Sequence, residues 1–326
     1  MKEDVSIRLV SRGEELPAMA CHDFFHSTEF FRMLEATPKQ QPCMAIAEDA
    51  CGNVVAHMLT MISYHTTPIP PFLYTHGRVY GEGEYGEGVN REHVFGLMLN
   101  AVTSRFSHRA CLYIEFSDMS TKMFAYKHFR RNGYFPIAWQ EIHNSLHSMP
   151  PDERISPKIL DKVNDSKKRG VATTIVADED GLQKAYKLLK NHFRLKSRRM
   201  VPSVAMFRQL MKSSHCKIFL TTYKNRAIGC CVCLYSGKDA YLWYLASLKK
   251  TYIYLHPNAF TVWSALKNAH DNGYDHFRFM DAGLPFKSNP AREFILGFGG
   301  KPVSKFRWFK LPISWLNKFF AWCYND

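Results

Sequence analysis

The carboxylate of Asp281 stands where an apolar strand runs out. Over 274–281 alternate residues fall on opposite faces, so His276, Arg278 and Met280 share one side and Phe277, Phe279 and Asp281 the other. Ala282-Gly283 follows at once. A carboxylate in that position serves either as a base facing a cleft mouth or as the cap of the turn into Gly283. Downstream, Lys287 and Arg292 are either a phosphate-binding pair or two solvated charges at a helix start. Upstream, His256-Pro257-Asn258 opens a helix, and a helix start offers free amides and partial positive charge to an anion.

Other chemistries find little support. No Gly-x-Ser-x-Gly elbow occurs, so a serine nucleophile of that class is excluded. Cys230-Cys231-Val232-Cys233 has Cys-x-x-Cys spacing, but it lies in an apolar strand-like run that puts Cys231 and Cys233 on one face and Cys230 on the other. Buried structural thiols are expected there. The 15 histidines show no His-Glu-x-x-His or similar spacing, and no metal is expected. The loop from Tyr80 to Gly88 alternates glycine with acidic residues, yet it has no P-loop lysine and no helix in register. It reads as a rim over a cleft.

The elements that must position these residues occur twice. Ser27-Thr28-Glu29-Phe30-Phe31-Arg32-Met33-Leu34 returns as Ser203-Val204-Ala205-Met206-Phe207-Arg208-Gln209-Leu210. Each copy then predicts a β-hairpin, over 44–48 and from Val54 in the first, over 218–223 and from Ala227 in the second. A helix over 91–106 feeds a strand over 111–116, as a helix over 257–272 feeds the strand over 274–281. Gly133 and Gly299 each close a helix before a last strand. The order helix, hairpin, strand, helix, strand, helix, strand predicts α/β (α+β) domains, each a mixed sheet flanked by helices.

The boundary is expected at Pro150-Pro151, giving domains 1–150 and 151–326. Beyond it, Ser156 and Pro157 start a basic helix that runs to Lys168 and stops at Gly170. The net charge of +14 favours anionic partners, and Lys158, Lys162, Lys167, Lys168 and Arg169 concentrate it at the start of the second copy, with a further cluster over 194–199. A charged start without an apolar h-region, no spanning apolar run and nine scattered cysteines favour a cytoplasmic protein with free thiols. Only the second copy combines the basic entrance, the helix start and Asp281. One site at the junction of the copies is therefore expected, not two.

Phe279-Met280-Asp281-Ala282-Gly283-Leu284 and Phe294-Ile295-Leu296-Gly297-Phe298-Gly299-Gly300 resemble the Fem-type (FemAB-like) peptidoglycan-bridge aminoacyltransferases. Arg78-Val79-Tyr80-Gly81 is similar to that family's Tyr-Gly-Gly stretch, and Lys167-Lys168-Arg169-Gly170-Val171 to the basic helix that opens its second domain. The resemblance spans essentially the whole chain and implies two tandem GNAT-like acyltransferase domains, the first on the acceptor side and the second on the donor side. It implies direct transfer of an acyl or aminoacyl group onto an amine, with aminoacyl-tRNA as donor and a lipid-linked or nucleotide-linked cell-wall precursor as acceptor. Asp281 would orient or deprotonate the amine. Tyr244 would lie on the splayed central strand over 241–247, whose backbone amide polarises the acyl carbonyl. His256, Asn258, Lys287 and Arg292 would bind the donor, and Arg78, Tyr80, Lys168 and Arg169 the acceptor. Two departures stand out: Ile295 occupies the family's lysine position, and the Gln/Arg-x-x-Gly-x-Gly/Ala loop of coenzyme A-dependent GNAT enzymes is missing.

Three alternatives follow from the same residues. One is an acyl-coenzyme A-dependent N-acyltransferase acting on a small or polysaccharide acceptor. Another is a nucleic-acid-binding protein without catalysis, although no reading helix, RNP aromatics or zinc module supports it. The third is a degenerate duplicate that binds precursor without turnover. The tail from Phe306 to Trp322 interleaves aromatics with cations. Its helix from Pro312 carries Trp315, Leu316, Phe319, Phe320 and Trp322 on a broad apolar face, which fits a helix lying on a membrane surface or one docked on protein.

Overall fold

The computed structural model describes residues 5–66, 73–108, 111–194, 201–286 and 288–324. The chain divides into two compact units, Met1–Trp139 with Ser304–Asp326, and Gln140–Val303. The boundary expected at 150–151 falls inside the second unit, where Pro151 begins a short helix. The division instead cuts two strands, because each has residues hydrogen-bonded in a different unit.

The first unit starts with β1 (Ser6–Val10), α1 (Thr28–Glu35) and the hairpin of β2 (Gln40–Glu48) and β3 (Val54–Thr66). Ser27 caps α1 by accepting from the Phe30 N–H at 3.0 Å. Then come β4 (Leu73–Tyr80), the two-residue β5 (Glu84–Tyr85), α2 (Arg91–His108), β6 (Tyr113–Ser117), α3 (Tyr126–Arg131) and β7 (Phe135–Ser145). β1, β2, β3 and β4 are antiparallel neighbours, and α2 carries the chain over to β6, which runs parallel to β4.

The second unit follows with α4 (Pro151–Arg154), α5 (Pro157–Lys168), β8 (Ala172–Ile175), α6 (Glu179–Phe193) and α7 (Val204–Lys212). Its hairpin is β9 (Cys216–Tyr223) and β10 (Arg226–Ser236), turned by Lys224 and Asn225 at positive φ. β11 (Asp239–Ser247), α8 (Pro257–Asp271), β12 (His276–Phe279) and α9 (Pro290–Leu296) complete it. The order β8-β9-β10-β11-β12 is antiparallel except for β11–β12, and β12 continues antiparallel onto residues 142–145 of β7. α8 lies against this sheet so closely that a Cβ added at Gly229 would sit 2.6 Å from the Thr261 hydroxyl. Cys231 and Cys233 enter the core with Trp263, Phe277 and Phe298, and all three cysteines of the Cys-x-x-Cys run are buried and free, as alternation requires.

β13 (Lys301–Lys310) returns to the first unit, pairing Trp308 with Phe116 of β6, and α10 (Ser314–Tyr324) ends the described chain. Trp308 is fully buried and stacks on Phe129 at 4.5 Å, so the first unit's core is completed by residues near the chain's end. Each unit is thus a mixed sheet with helices against it.

On the β3–β4 pair, His65 and His76 meet at 2.7 Å, with Tyr113 stacked on His76 at 5.0 Å. Burial, then the Arg78 charge, pushes His65 down to about 4 and His76 well below its ordinary value. A histidine depressed on folding binds fewer protons folded than unfolded, so its stabilising effect is whole above about pH 6.5 and drains as pH falls toward the folded value. Urea unfolding should show a loss on the order of 2 kcal/mol from His65 alone between pH 7 and pH 5. His65→Phe should flatten that slope; an unchanged slope would refute the assignment.

Candidate functional site

Two neighbouring strands of the second unit part company. The β11–β12 ladder runs from Asp239↔His276 to Leu242↔Phe279, where β12 ends, while β11 continues to Ser247. Beyond Phe279 the chain follows β7 instead: Ala282 N–H donates to the Gln140 carbonyl at 3.0 Å, and Gln140 N–H donates to the Gly283 carbonyl at 2.8 Å. Gly283, at φ +83°, supplies a left-handed backbone turn that side chains rarely adopt. On its other edge β11 slips register, so that Val232 faces Tyr244 and Cys233 faces Leu242, leaving Trp243 as the extra residue of a bulge. Beyond Leu242 the two strands thus form a wedge in the pairing pattern, where β11 runs on without β12 as a ladder partner. Backbone N–H groups aimed into such an opening are donors for a carbonyl oxygen.

The corresponding strands of the first unit do not part. β4 stays paired with β6 from His76↔Tyr113 to Tyr80↔Ser117, its last residue, and Gly81 N–H adds a further bond to the Ser117 carbonyl at 2.7 Å. The glycine-rich loop after it is tied down as well. β5 pairs with β3, buried Glu82 accepts from the Ser120 hydroxyl at 2.8 Å and is ion-paired with Arg91, and the loop lines a cavity of about 400 Å³.

The start of α8 lies within reach of two cations of α5, Lys162 and Arg169. α8 begins with Pro257 at its first turn, and His256 before it is held at φ +41°, strained for a residue with a side chain. α5 packs on this helix start through Ser166, whose hydroxyl donates to the Leu255 carbonyl at 2.9 Å. Burial, then the Lys162 and Arg169 charges, lowers the pKa of His256 against the opposing pull of Asp165. Arg169, expected among the acceptor-binding residues, thus lies within electrostatic reach of His256, expected among the donor-binding ones, and Lys168 is exposed on the last turn of α5. Charge spacing alone could not reveal this, because α5 and α8 are about ninety residues apart and meet only by packing.

The remaining expected residues scatter. Asp281 is exposed just past the end of β12, on the side of the wedge opposite β11. Tyr244 is buried within an aromatic cluster, 5.5 Å from Phe193, 6.0 Å from Phe207 and 4.8 Å from Trp243 between ring centres. Arg292 donates to the Leu284 carbonyl at 2.7 Å, holding the segment after Asp281, and Lys287 lies outside the described residues. In the first unit Arg78 is bound to buried Glu115 at 2.6 Å and to the Tyr80 hydroxyl at 2.9 Å. Burial opposes the charge, but the Glu115 carboxylate holds the guanidinium well above its ordinary value. Arg307 approaches Glu115 at 3.3 Å from β13 and lies 4.1 Å over the Trp139 ring. Glu115 had no signature in the sequence: a lone acidic residue in an apolar strand is visible, but not the two arginines that neutralise it.

α10 has no buried residue, and Trp315, Phe319 and Trp322 are 70%, 50% and 69% exposed. Asn317 anchors its start by donating to the Gly133 carbonyl at 2.9 Å and accepting from Leu311 N–H at 2.8 Å. Among the described residues no helix is long and apolar enough to cross a membrane.

Residues 158–288 match the family model for the acetyltransferase (GNAT) domain, a span that includes the wedge and the start of α8. No curated protein matches the sequence. Among solved structures, FemX aligns with a TM-score of 0.62 at 12% identity, covering 92% of this chain and 94% of that one. A tandem GNAT protein from the clavulanic acid biosynthesis pathway aligns at 0.60 and 9% identity, over 94% and 99%. L-PGS from Bacillus licheniformis aligns at 0.58 and 11% identity, over 90% and 92%. The chain has a Fem-like tandem GNAT fold, and its second unit carries an acyltransferase domain.

Proposed function

We propose that this acyltransferase moves an acyl or aminoacyl group from an anionic donor onto an amine of a cell-envelope precursor, by direct transfer and from a single donor site in the second unit. The observation that carries the reading is the parting of β11 from β12 after Leu242↔Phe279, set against the fully paired β4–β6 of the first unit. A donor carbonyl entering the wedge would accept from the β11 backbone, its phosphates lying at the α8 start near Lys162 and Arg169. Asp281 would take the proton that an acceptor ammonium must lose before attack. The nitrogen then bonds to the acyl carbon, and the bond to the donor's ribose oxygen or thiol sulfur breaks. That leaving group departs as the anion and takes up the second proton, which the attacking nitrogen sheds as the amide forms.

Aminoacyl-tRNA is the leading donor because the charge spreads from the helix start along α5, where Lys158, Lys167 and Lys168 are all exposed, farther than one pyrophosphate requires. Acyl-coenzyme A is the second arm of the same test. Each labelled donor is mixed with a panel of amine acceptors, including amino sugars and lysine-bearing peptides, and products are read by mass spectrometry. Transfer from either donor is expected. Tight tRNA binding with no transfer from either would replace this reading with a binding protein. For Arg78 and Tyr80 the acceptor role rests on family resemblance alone, and Glu115 already neutralises Arg78. Tyr80→Phe should raise the acceptor KM, with the donor KM unchanged, if that role holds.

The exposed aromatic face of α10 fits contact with the membrane that would carry a lipid-linked acceptor. In flotation with anionic liposomes, a chain truncated after Lys310 should lose most of the binding of the intact chain. Equal flotation of the two would remove the membrane from the proposal.

A further inference from the structure

Cys21, His57 and Glu84 are far apart in sequence and converge in the first unit, their ligand atoms all within 4.8 Å of one another. The Cys21 sulfur lies 3.9 Å from His57 Nε2, and Glu84 Oε1 lies 3.4 Å from the same nitrogen. A tetrahedral ion bound at about 2.0 Å by nitrogen and oxygen and about 2.3 Å by sulfur holds its ligand atoms roughly 3.3–3.6 Å apart, so the nitrogen–oxygen pair is already at ligand spacing and the sulfur would draw in by a few tenths of an ångström on binding. Sulfur and carboxylate both face one ring nitrogen. A Cys-His-Glu relay would instead need them on opposite nitrogens, since the base takes a proton at one while the orienting acid holds the other.

Each group is fixed from behind. His57 is 4% exposed, and His57 and Glu84 are direct cross-strand partners in the β3–β5 pair, so the ladder sets them face to face. Gly83 allows the approach: a Cβ there would sit 2.6 Å from the His57 carbonyl. Glu84 also accepts from the N–H groups of His22 at 2.7 Å and Asp23 at 3.0 Å, the residues that immediately follow Cys21. Burial works against the carboxylate, but those bonds and the one from His57 keep its pKa below the ordinary value. At the sulfur, burial raises the thiol's pKa and the Glu84 charge adds to the rise, with hydrogen bonds from Thr28 offsetting only part of it. Hydrogen bonds to the far side of a ligand of this kind hold it in the orientation that a metal needs.

We propose that Cys21, His57 and Glu84 bind a divalent zinc-class cation, leaving one coordination position open to water. Thiolate and carboxylate balance the ion's two charges, so the partly buried site becomes neutral on binding. The ion would join three segments: the stretch before α1, strand β3 and the glycine-rich loop. The Cys21 thiol must lose its proton to bind, so loading releases about one proton per ion near neutral pH.

Cobalt(II) is the probe, added to the full chain in a Cys51→Ser/Cys323→Ser background that removes the two exposed thiols. A thiolate-to-cobalt charge-transfer band, tetrahedral d–d absorption and displacement of cobalt by one equivalent of zinc are expected. Cys21→Ser should abolish the charge-transfer band, and Glu84→Gln should weaken binding by 10-fold or more while the fold, read by circular dichroism, persists. Absence of the band in the parent chain, or an equal band in Cys21→Ser, overturns the proposal. His57→Gln is supplementary, because its burial makes misfolding a separate cause of loss.

Discussion

Asp281→Asn should lower kcat by roughly 10²–10⁴-fold, the range for removal of a positioned base. The urea midpoint should stay where it is, because Asp281 is exposed and lies outside the β12 ladder. The amide keeps the size and hydrogen-bonding reach of the carboxylate but accepts no proton at neutral pH. A turn cap would give the opposite pattern, since the neighbouring turn depends on Gly283 and on the Ala282 and Gln140 backbone bonds. If Asp281→Asn lowers stability by about 1 kcal/mol and leaves kcat intact, Asp281 is structural and the proton goes elsewhere. A Lys162→Ala/Arg169→Ala pair separates donor binding from this step, because it should raise the donor KM and make its salt dependence shallower while sparing kcat.

Ile295→Lys is the second large effect expected, and its direction runs against family resemblance. Ile295 is 8% exposed and belongs to the second unit's core, beside Phe294, Leu296 and Phe298. An ammonium brought there without a buried carboxylate costs several kcal/mol, on the order of 3–5, against a total stability of about 5–15 for a domain of this kind. Urea unfolding should therefore show a large loss, and transfer assays no gain over the parent. A lysine that raised transfer without lowering the midpoint would mean that the chain is a degenerate copy awaiting that residue. The packing points the other way: the surroundings have closed over isoleucine.

Much of the fold was legible because its signals are local. Ser156, Pro157 and Gly170 bracket α5 as N-cap, first-turn proline and terminator, and the described helix runs from Pro157 to Lys168. The hairpin over β9 and β10 follows from two apolar runs around Lys224-Asn225, and burial of Cys230, Cys231 and Cys233 follows from the run that contains them. α6 begins at Glu179, with Asp178 accepting from the Gly181 N–H at 2.7 Å, so the Asp180-Gly181 pair belongs to its first turn. Gly181 weakens the helical pattern there, and only the cap hydrogen bond reveals where the helix starts.

What the chain could not show by itself is where local elements meet. Periodicity sets which face of β11 is apolar, and the motif around Asp281 marks a strand end. It is pairing that decides that β12 stops at Phe279, that residues 282–283 transfer to Gln140, and that Trp243 is left over as a bulge. Likewise Arg169 reaches His256, Trp308 fills the first unit's core, and Cys21, His57 and Glu84 converge only through contacts between distant segments. Residue type and spacing fix propensity, charge and the copied order of elements, since these depend on neighbours along the chain. The open wedge, the positive helix start and the three-ligand cluster are decided by hydrogen-bond register and close packing, which depend on neighbours in space.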